Sequence, residues 1–107
     1  MTQKQYLRLI SDDSRIRVEF STKKGKVAKF TTQYELLIND QWHPVIRYDT
    51  AHNFVHIDIL YPDGTKTKNE LSFSNYNEAL TYSILDLNTN WKKYKNQFLR
   101  RFKNEKG

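Results

Sequence analysis

Val55-His56-Ile57-Asp58-Ile59-Leu60-Tyr61-Pro62-Asp63-Gly64 decides the fold. Apolar residues stand at 55, 57, 59 and 61, with ionisable ones at 56 and 58 between them. Strict alternation is the period of a half-buried β-strand, because successive side chains point to opposite faces. Pro-Asp-Gly then marks a tight turn: Pro presets φ, Asp bonds the backbone ahead of it, and Gly accepts a positive φ. The strand reverses into another over residues 65–73, giving an antiparallel hairpin.

The same period runs back toward the N-terminus. Arg15-Ile16-Arg17-Val18-Glu19-Phe20 alternates strictly and reads as a strand. A charged turn at Thr22–Lys26, with Gly25 for a positive φ, leads into a strand over residues 27–38. Phe30, Tyr34, Leu36 and Ile38 share one side of it. Asn39-Asp40-Gln41 is read as a three-residue hairpin loop, followed by a strand marked by Trp42, Pro44, Ile46 and Tyr48. Pro44 has no N–H to donate, so it belongs at an edge, a bulge or a strand start. Thr50–Asn53 is a four-residue connection. Residues 1–14 are polar apart from Tyr6, Leu7, Leu9 and Ile10, and are expected to form a short helix or an extended arm.

After residue 75 the period changes. Asn75-Tyr76-Asn77-Glu78 has the form of a capping box. Leu80, Ile84, Leu87, Trp91, Tyr94, Phe98 and Phe102 then recur at steps of three and four, the stripe of an amphipathic helix. Asn88-Thr89-Asn90 is a weak spot within it. The expected fold is α+β: a curved antiparallel meander of about five strands over residues 15–73, packed on one long basic helix over residues 75–103. With 107 residues the chain makes one domain, 1–107.

Aromatic residues make up 14% of the chain and supply the bulk of a thin core. There is no Cys, which excludes a disulfide framework, a thiolate metal site and a cysteine nucleophile. No apolar run approaches the roughly 18 residues of a membrane span, and residues 1–15 lack a signal-like stretch. A cytoplasmic protein with no membrane partner is expected. Net charge is +6. All of it lies after residue 90, where Lys92, Lys93, Lys95, Arg100, Arg101, Lys103 and Lys106 face Glu105 alone. Two readings stand for this run: a surface for an acidic partner such as nucleic acid, or a solvated helix face kept charged for solubility.

Register turns the strands into surfaces, since residues opposite each other in antiparallel strands share a face. The loop lengths above set Ile38 opposite Trp42, Leu36 opposite Pro44 and Tyr34 opposite Ile46. They also set Asp49 opposite Phe54, Arg47 opposite His56, Asp58 opposite Lys68 and His56 opposite Glu70. One face collects Trp42, Ile46, Tyr48, Val55, Ile57, Ile59, Tyr61 and Leu71, and the helix is its natural cover. The other face carries Gln33, Arg47, His56 and Glu70, with Asp49 and Asp58 beside them and His52 in the loop above. This row reads either as an anion-binding or acid–base site, or as a cross-strand charge ladder on a solvated sheet. His52 and His56 enter a strand rather than a helix turn, so no metal or other cofactor is expected. His43 is expected to be an exposed strand residue.

Trp42-His43-Pro44-Val45-Ile46-Arg47-Tyr48-Asp49-Thr50-Ala51-His52-Asn53-Phe54-Val55-His56 resembles the R-Y-D-x-x-H-x-x-x-H segment of small prokaryotic proteins, among them the TumE-type toxin component of toxin–antitoxin pairs. The resemblance implies a small curved antiparallel sheet with a helix, a site at Arg47, Asp49, His52 and His56, and RNA or an antitoxin-like protein as partner. Three functions follow as expectations. One is a ribonuclease-like toxin or defence component using those four residues without metal. A second is a non-catalytic module binding nucleic acid or protein through Lys92, Lys93, Lys95, Arg100, Arg101 and Lys103. The third is a homo-oligomer assembled through the C-terminal helix.

Overall fold

A computed structural model describes residues 1–106, with the side chains of His52, Glu105 and Lys106 outside the description. Six strands precede one helix: β1 (Thr2–Ser11), β2 (Ser14–Lys23), β3 (Lys26–Ile38), β4 (Gln41–Asp49), β5 (Val55–Leu60), β6 (Lys66–Leu71) and α1 (Tyr76–Lys106). The strands form a single open antiparallel meander in the order β1-β2-β3-β4-β5-β6, so β1 and β6 are its edges. The class is α+β as expected, with six strands in place of five. The extra one is β1, and the helix runs on to Lys106. Eight of the ten β1 residues are exposed. A strand buried on neither face has no need of apolar alternation, which is why its sequence does not show the period.

The helix lies along β3 and β4 and covers one face of the sheet. Ile16, Val18, Phe30, Tyr34, Leu36, Ile46 and Tyr48 from the sheet meet Ala79, Leu80, Leu87 and Phe98 from α1 in one buried cluster. Ile84, Trp91, Tyr94 and Phe102 pack around it, so the whole predicted stripe faces the sheet. The Asn75 side-chain oxygen accepts a hydrogen bond from Glu78 N–H at 2.8 Å, capping the helix. Asn77 accepts one from Val27 N–H at 2.9 Å and ties the first turn to β3. At about 1.5 Å per residue α1 is about 46 Å long, close to the 50 Å long axis of the molecule. It passes through residues 88–90 unbroken. Asn88 donates to the Ile84 carbonyl and Asn90 to Asp86, each from one turn on, so both amides satisfy groups of the helix itself.

Two registers differ from expectation. Asn39 and Asp40 both have positive φ, 52° and 64°, and form a two-residue turn. Ile38 therefore pairs with Gln41, Leu37 with Trp42, Leu36 with His43 and Glu35 with Pro44. A bulge at Val45 restores the expected pair Tyr34–Ile46. Trp42 thus lies on the open face, where the Arg15 guanidinium sits 3.9 Å from its ring centroid. His43 instead faces the helix, between Phe98 and Phe102. At the next corner the connection is longer than four residues, so Arg47 pairs with Asp58 and Asp49 with His56. That displacement is two residues, one full pleat, and leaves every side chain on its expected face. The pairs Asp58–Lys68 and His56–Glu70 are as expected.

Candidate functional site

Two rows cross the open face of the sheet. Leu7, Arg17, Gln33, Arg47, Asp58 and Lys68 stand opposite one another in turn from β1 to β6. Gln5, Glu19, Thr31, Asp49, His56 and Glu70 make the next row. Arg47 and His56 therefore share a face but occupy neighbouring rows.

Glu35, one pleat from Gln33 and opposite Arg15, is the hub of a network that draws in the first row. It is only 5% exposed, and accepts hydrogen bonds from Arg15 Nε at 2.6 Å, Arg17 Nε at 3.0 Å and Gln33 Nε2 at 2.6 Å. Burial alone would raise its pKa. The hydrogen bonds from Arg17, Arg15 and Gln33 outweigh that and hold the carboxyl below its ordinary value. Gln33 in turn accepts from Arg47 Nε at 2.6 Å, so the chain of contacts runs Arg15/Arg17–Glu35–Gln33–Arg47. Glu35 carried no sequence signal of its own. It could have been found from the β2–β3 register, which sets it opposite Arg15 and one pleat from Arg17.

Asp49 and His56 act together on the corner between β4 and β5. Asp49 Oδ1 accepts from Ala51 N–H at 3.1 Å, while His56 Nε2 lies 2.9 Å from the Ala51 carbonyl oxygen. A carbonyl only accepts, so Nε2 carries the proton there and donates. The two residues clamp both polar groups of Ala51 and fix the 3₁₀ turn Ala51–Asn53. His56 is buried, and its Nδ1 has no hydrogen-bond partner. The His52 side chain lies outside the described residues. Of the four residues expected to form a catalytic set, then, Arg47, Asp49 and His56 lie on one face, each in contact with a protein group. Beside Asp49 the face holds a cavity of about 350 Å³ lined by Gln3, Glu19, Ser21, Lys29, Thr31 and Asp49. Among the described residues no cluster of three His, Asp or Glu is placed to hold a metal ion.

Asp58 is the exception on this face. It is 1% exposed, neither carboxylate oxygen has a hydrogen-bond partner, and Lys66 Nζ is 3.7 Å from Oδ2. Arg47 stands opposite it in register, yet no ion pair joins the two.

The cations of the basic helix differ in what they touch. Lys95 Nζ is 2.7 Å from Asp13 Oδ2, and the Arg101 guanidinium lies 4.7 Å from the Tyr61 ring centroid. Lys92, Lys93, Arg100 and Lys103 are exposed, and among the described residues none is paired with a carboxylate; Lys92 Nζ and Lys93 Nζ rest 5.6 Å and 5.8 Å from the ring centroids of Trp91 and Tyr94. At 3.6 residues per turn all four fall on the side of α1 opposite the core stripe. Helix carboxylates are scarce nearby, because Asp86 points inward. It accepts from Tyr48 at 2.6 Å, from Tyr94 at 2.8 Å and from Asn90 at 2.7 Å. Nothing in the apolar periodicity marked the half-buried Asp86 as an acceptor for three donors.

These features define a small α+β protein, an open six-stranded meander backed by one long helix that carries a basic outer face. The chain belongs to the family described as "Domain of unknown function (DUF7718)", whose model matches residues 1–104. No curated protein and no solved structure matches the chain.

Proposed function

We propose that the chain is a non-catalytic module that binds RNA through the exposed basic face of α1. One observation carries this reading. The entire net charge lies on the last stretch of a helix whose inner side is filled by the core, which leaves Lys92, Lys93, Arg100 and Lys103 facing solvent without acidic partners among the described residues. They span about 16 Å of helix axis. Such an array draws a polyanion by displacing its counterions. RNA binding is also the part of a toxin-type role that these residues support. Asp49 and His56 serve in this reading as the clamp on Ala51, and Arg47 as the end of the Glu35 network.

The test is fluorescence anisotropy of a labelled single-stranded RNA at rising salt. Contact with four phosphates predicts a slope of log K against log salt of about −3. Replacing Lys92, Lys93, Arg100 and Lys103 together by Ala should flatten that slope and weaken binding by more than about tenfold at low salt. Far-UV circular dichroism should stay unchanged, since Ala favours the helix. Binding that keeps its strength and slope in the quadruple variant overturns the reading. So does cleavage of the RNA by the wild-type chain that His56→Ala abolishes.

A further inference from the structure

Strand β1 is held by only one neighbour. It pairs with β2 from Thr2 to Leu9 in unbroken register, and its other edge offers a row of backbone N–H and C=O groups to solvent. Tyr6, Leu7 and Leu9 are 45%, 50% and 67% exposed. The helix lies over β3 and β4 and leaves this edge uncovered. An edge that is regular over eight residues, has no Pro and exposes Tyr6, Leu7 and Leu9 is a template for another strand.

We infer that β1 pairs antiparallel with β1 of a second copy, with Leu7 opposite its own counterpart, joining two sheets into one of twelve strands. The register follows from symmetry and charge. A two-fold axis normal to the sheet keeps each side chain on its own face, so it admits only registers that set a residue opposite itself. Centring on Lys4 or Arg8 sets a cation against itself, and centring on Tyr6 sets Lys4 against Arg8 twice; like charges directly opposite are destabilising. Centring on Leu9 runs the overlap into the irregularity between Leu9 and Ser11. Centring on Gln5 disperses the leucines against Gln3 and Met1. Centring on Leu7 sets Tyr6 against Arg8 and Gln5 against Leu9, with no like charges opposed. It also gathers Leu7 and Leu9 of both copies into one patch on the open face. This interface is independent of the RNA-binding face on α1 and stands or falls apart from it.

The chain has no Cys, so a single introduced thiol reports the register. Opposed residues in antiparallel strands have Cα atoms about 4.5–5.5 Å apart, within disulfide reach. Leu7→Cys should therefore oxidise to a covalent dimer at least about tenfold faster than Leu9→Cys, whose counterpart lies about 14 Å away along the strand. Light scattering should give twice the 12.9 kDa chain mass for the wild type, and a single chain for Leu7→Lys with unchanged circular dichroism. A wild type that stays monomeric at sub-millimolar concentration, or equal oxidation rates for the two Cys variants, overturns the inference.

Discussion

On the helix side of the sheet Asp86 is met by neutral donors, Tyr48, Tyr94 and Asn90; on the open side Glu35 is met by two guanidiniums and an amide. The difference follows from what each face seals. Under α1 a cation would lose its water, whereas phenols bury their rings and still offer one O–H each. On the open face Arg15 and Arg17 lay their stems along the sheet and keep part of each head in water. Both carboxylates are satisfied, yet they shift their surroundings in opposite senses. Burial, reinforced by the negative Asp86, pushes the Tyr48 and Tyr94 hydroxyls well above the ordinary phenol range. Glu35 is itself held below the carboxylate range. One face therefore draws its stability from packing and from neutral donors on a single carboxylate, the other from opposed charges.

The largest effect should come from the packed side. Phe98 is buried at the far end of the helix stripe and closes the core beside His43. Phe98→Ala removes that ring and leaves a cavity, with an expected loss of about 3–5 kcal/mol in urea unfolding. A loss below about 1 kcal/mol would mean that the end of α1 is not docked on the sheet in solution.

The charged side is next in size. Glu35→Gln keeps the shape but leaves Arg15 and Arg17 without their counter-charge, and should lose about 1.5–3 kcal/mol at neutral pH. Its pH dependence gives the sharper contrast. A carboxyl whose folded pKa is depressed binds its proton more readily in the unfolded chain, so stability rises with pH through that window. The Glu35 contribution is complete above its ordinary value of 4.5 and is lost as pH falls through the lower folded value. Asp13 acts in the same sense: burial raises its pKa, but hydrogen bonds from Lys95, Ser11 and Ser14 lower it overall. Glu35→Gln should therefore flatten the acid limb without removing it. Tyr48 and Tyr94 behave in the opposite sense. Their folded pKa values are raised, so their contribution is complete below 10.0 and is lost as pH climbs above it. Acid should loosen the open face first and alkali the sealed one, and urea unfolding across pH separates the two.

The same contrast governs what the sequence disclosed. The helix stripe and the alternation in β2 were legible because one side of each is buried, and burial imposes a period; β5 alternates too, but its polar residues His56 and Asp58 are buried on the open face, which the alternation did not disclose. β1 was not, because nothing covers it. A three-residue loop would put Trp42 under the helix; Asn39-Asp40 closes in two and turns it to the open face, and the bulge at Val45 hides that difference from every later strand. Arg47, Asp49, His56 and Asp58 were legible as neighbours on one face, since the longer corner moved the register by a whole pleat. What they touch was not legible. Asp49 and His56 engage the backbone of Ala51, and a peptide group leaves no mark in residue identity. Asp86 and Glu35 were hidden for a related reason: a carboxylate between apolar neighbours looks like any solvated acid until its donors are placed around it.

Asp58 tests how far the open face depends on paired charge. It sits as deep as any core residue, yet no donor reaches either oxygen within hydrogen-bond distance, and Lys66 approaches only to 3.7 Å. A buried carboxylate gains from its neighbours only when hydrogen bonds offset the loss of water, and here the nearest cation is itself half in solvent. Asp58→Asn removes the charge and keeps the shape. The change should be neutral or stabilise by about 1 kcal/mol, opposite in sign to Glu35→Gln two strands away. The measurement is the same urea midpoint at neutral pH. A loss above about 2 kcal/mol would mean that Arg47 or Lys66 closes on the carboxylate in solution, and the open face would then hold two satisfied hubs, Glu35 and Asp58, rather than one.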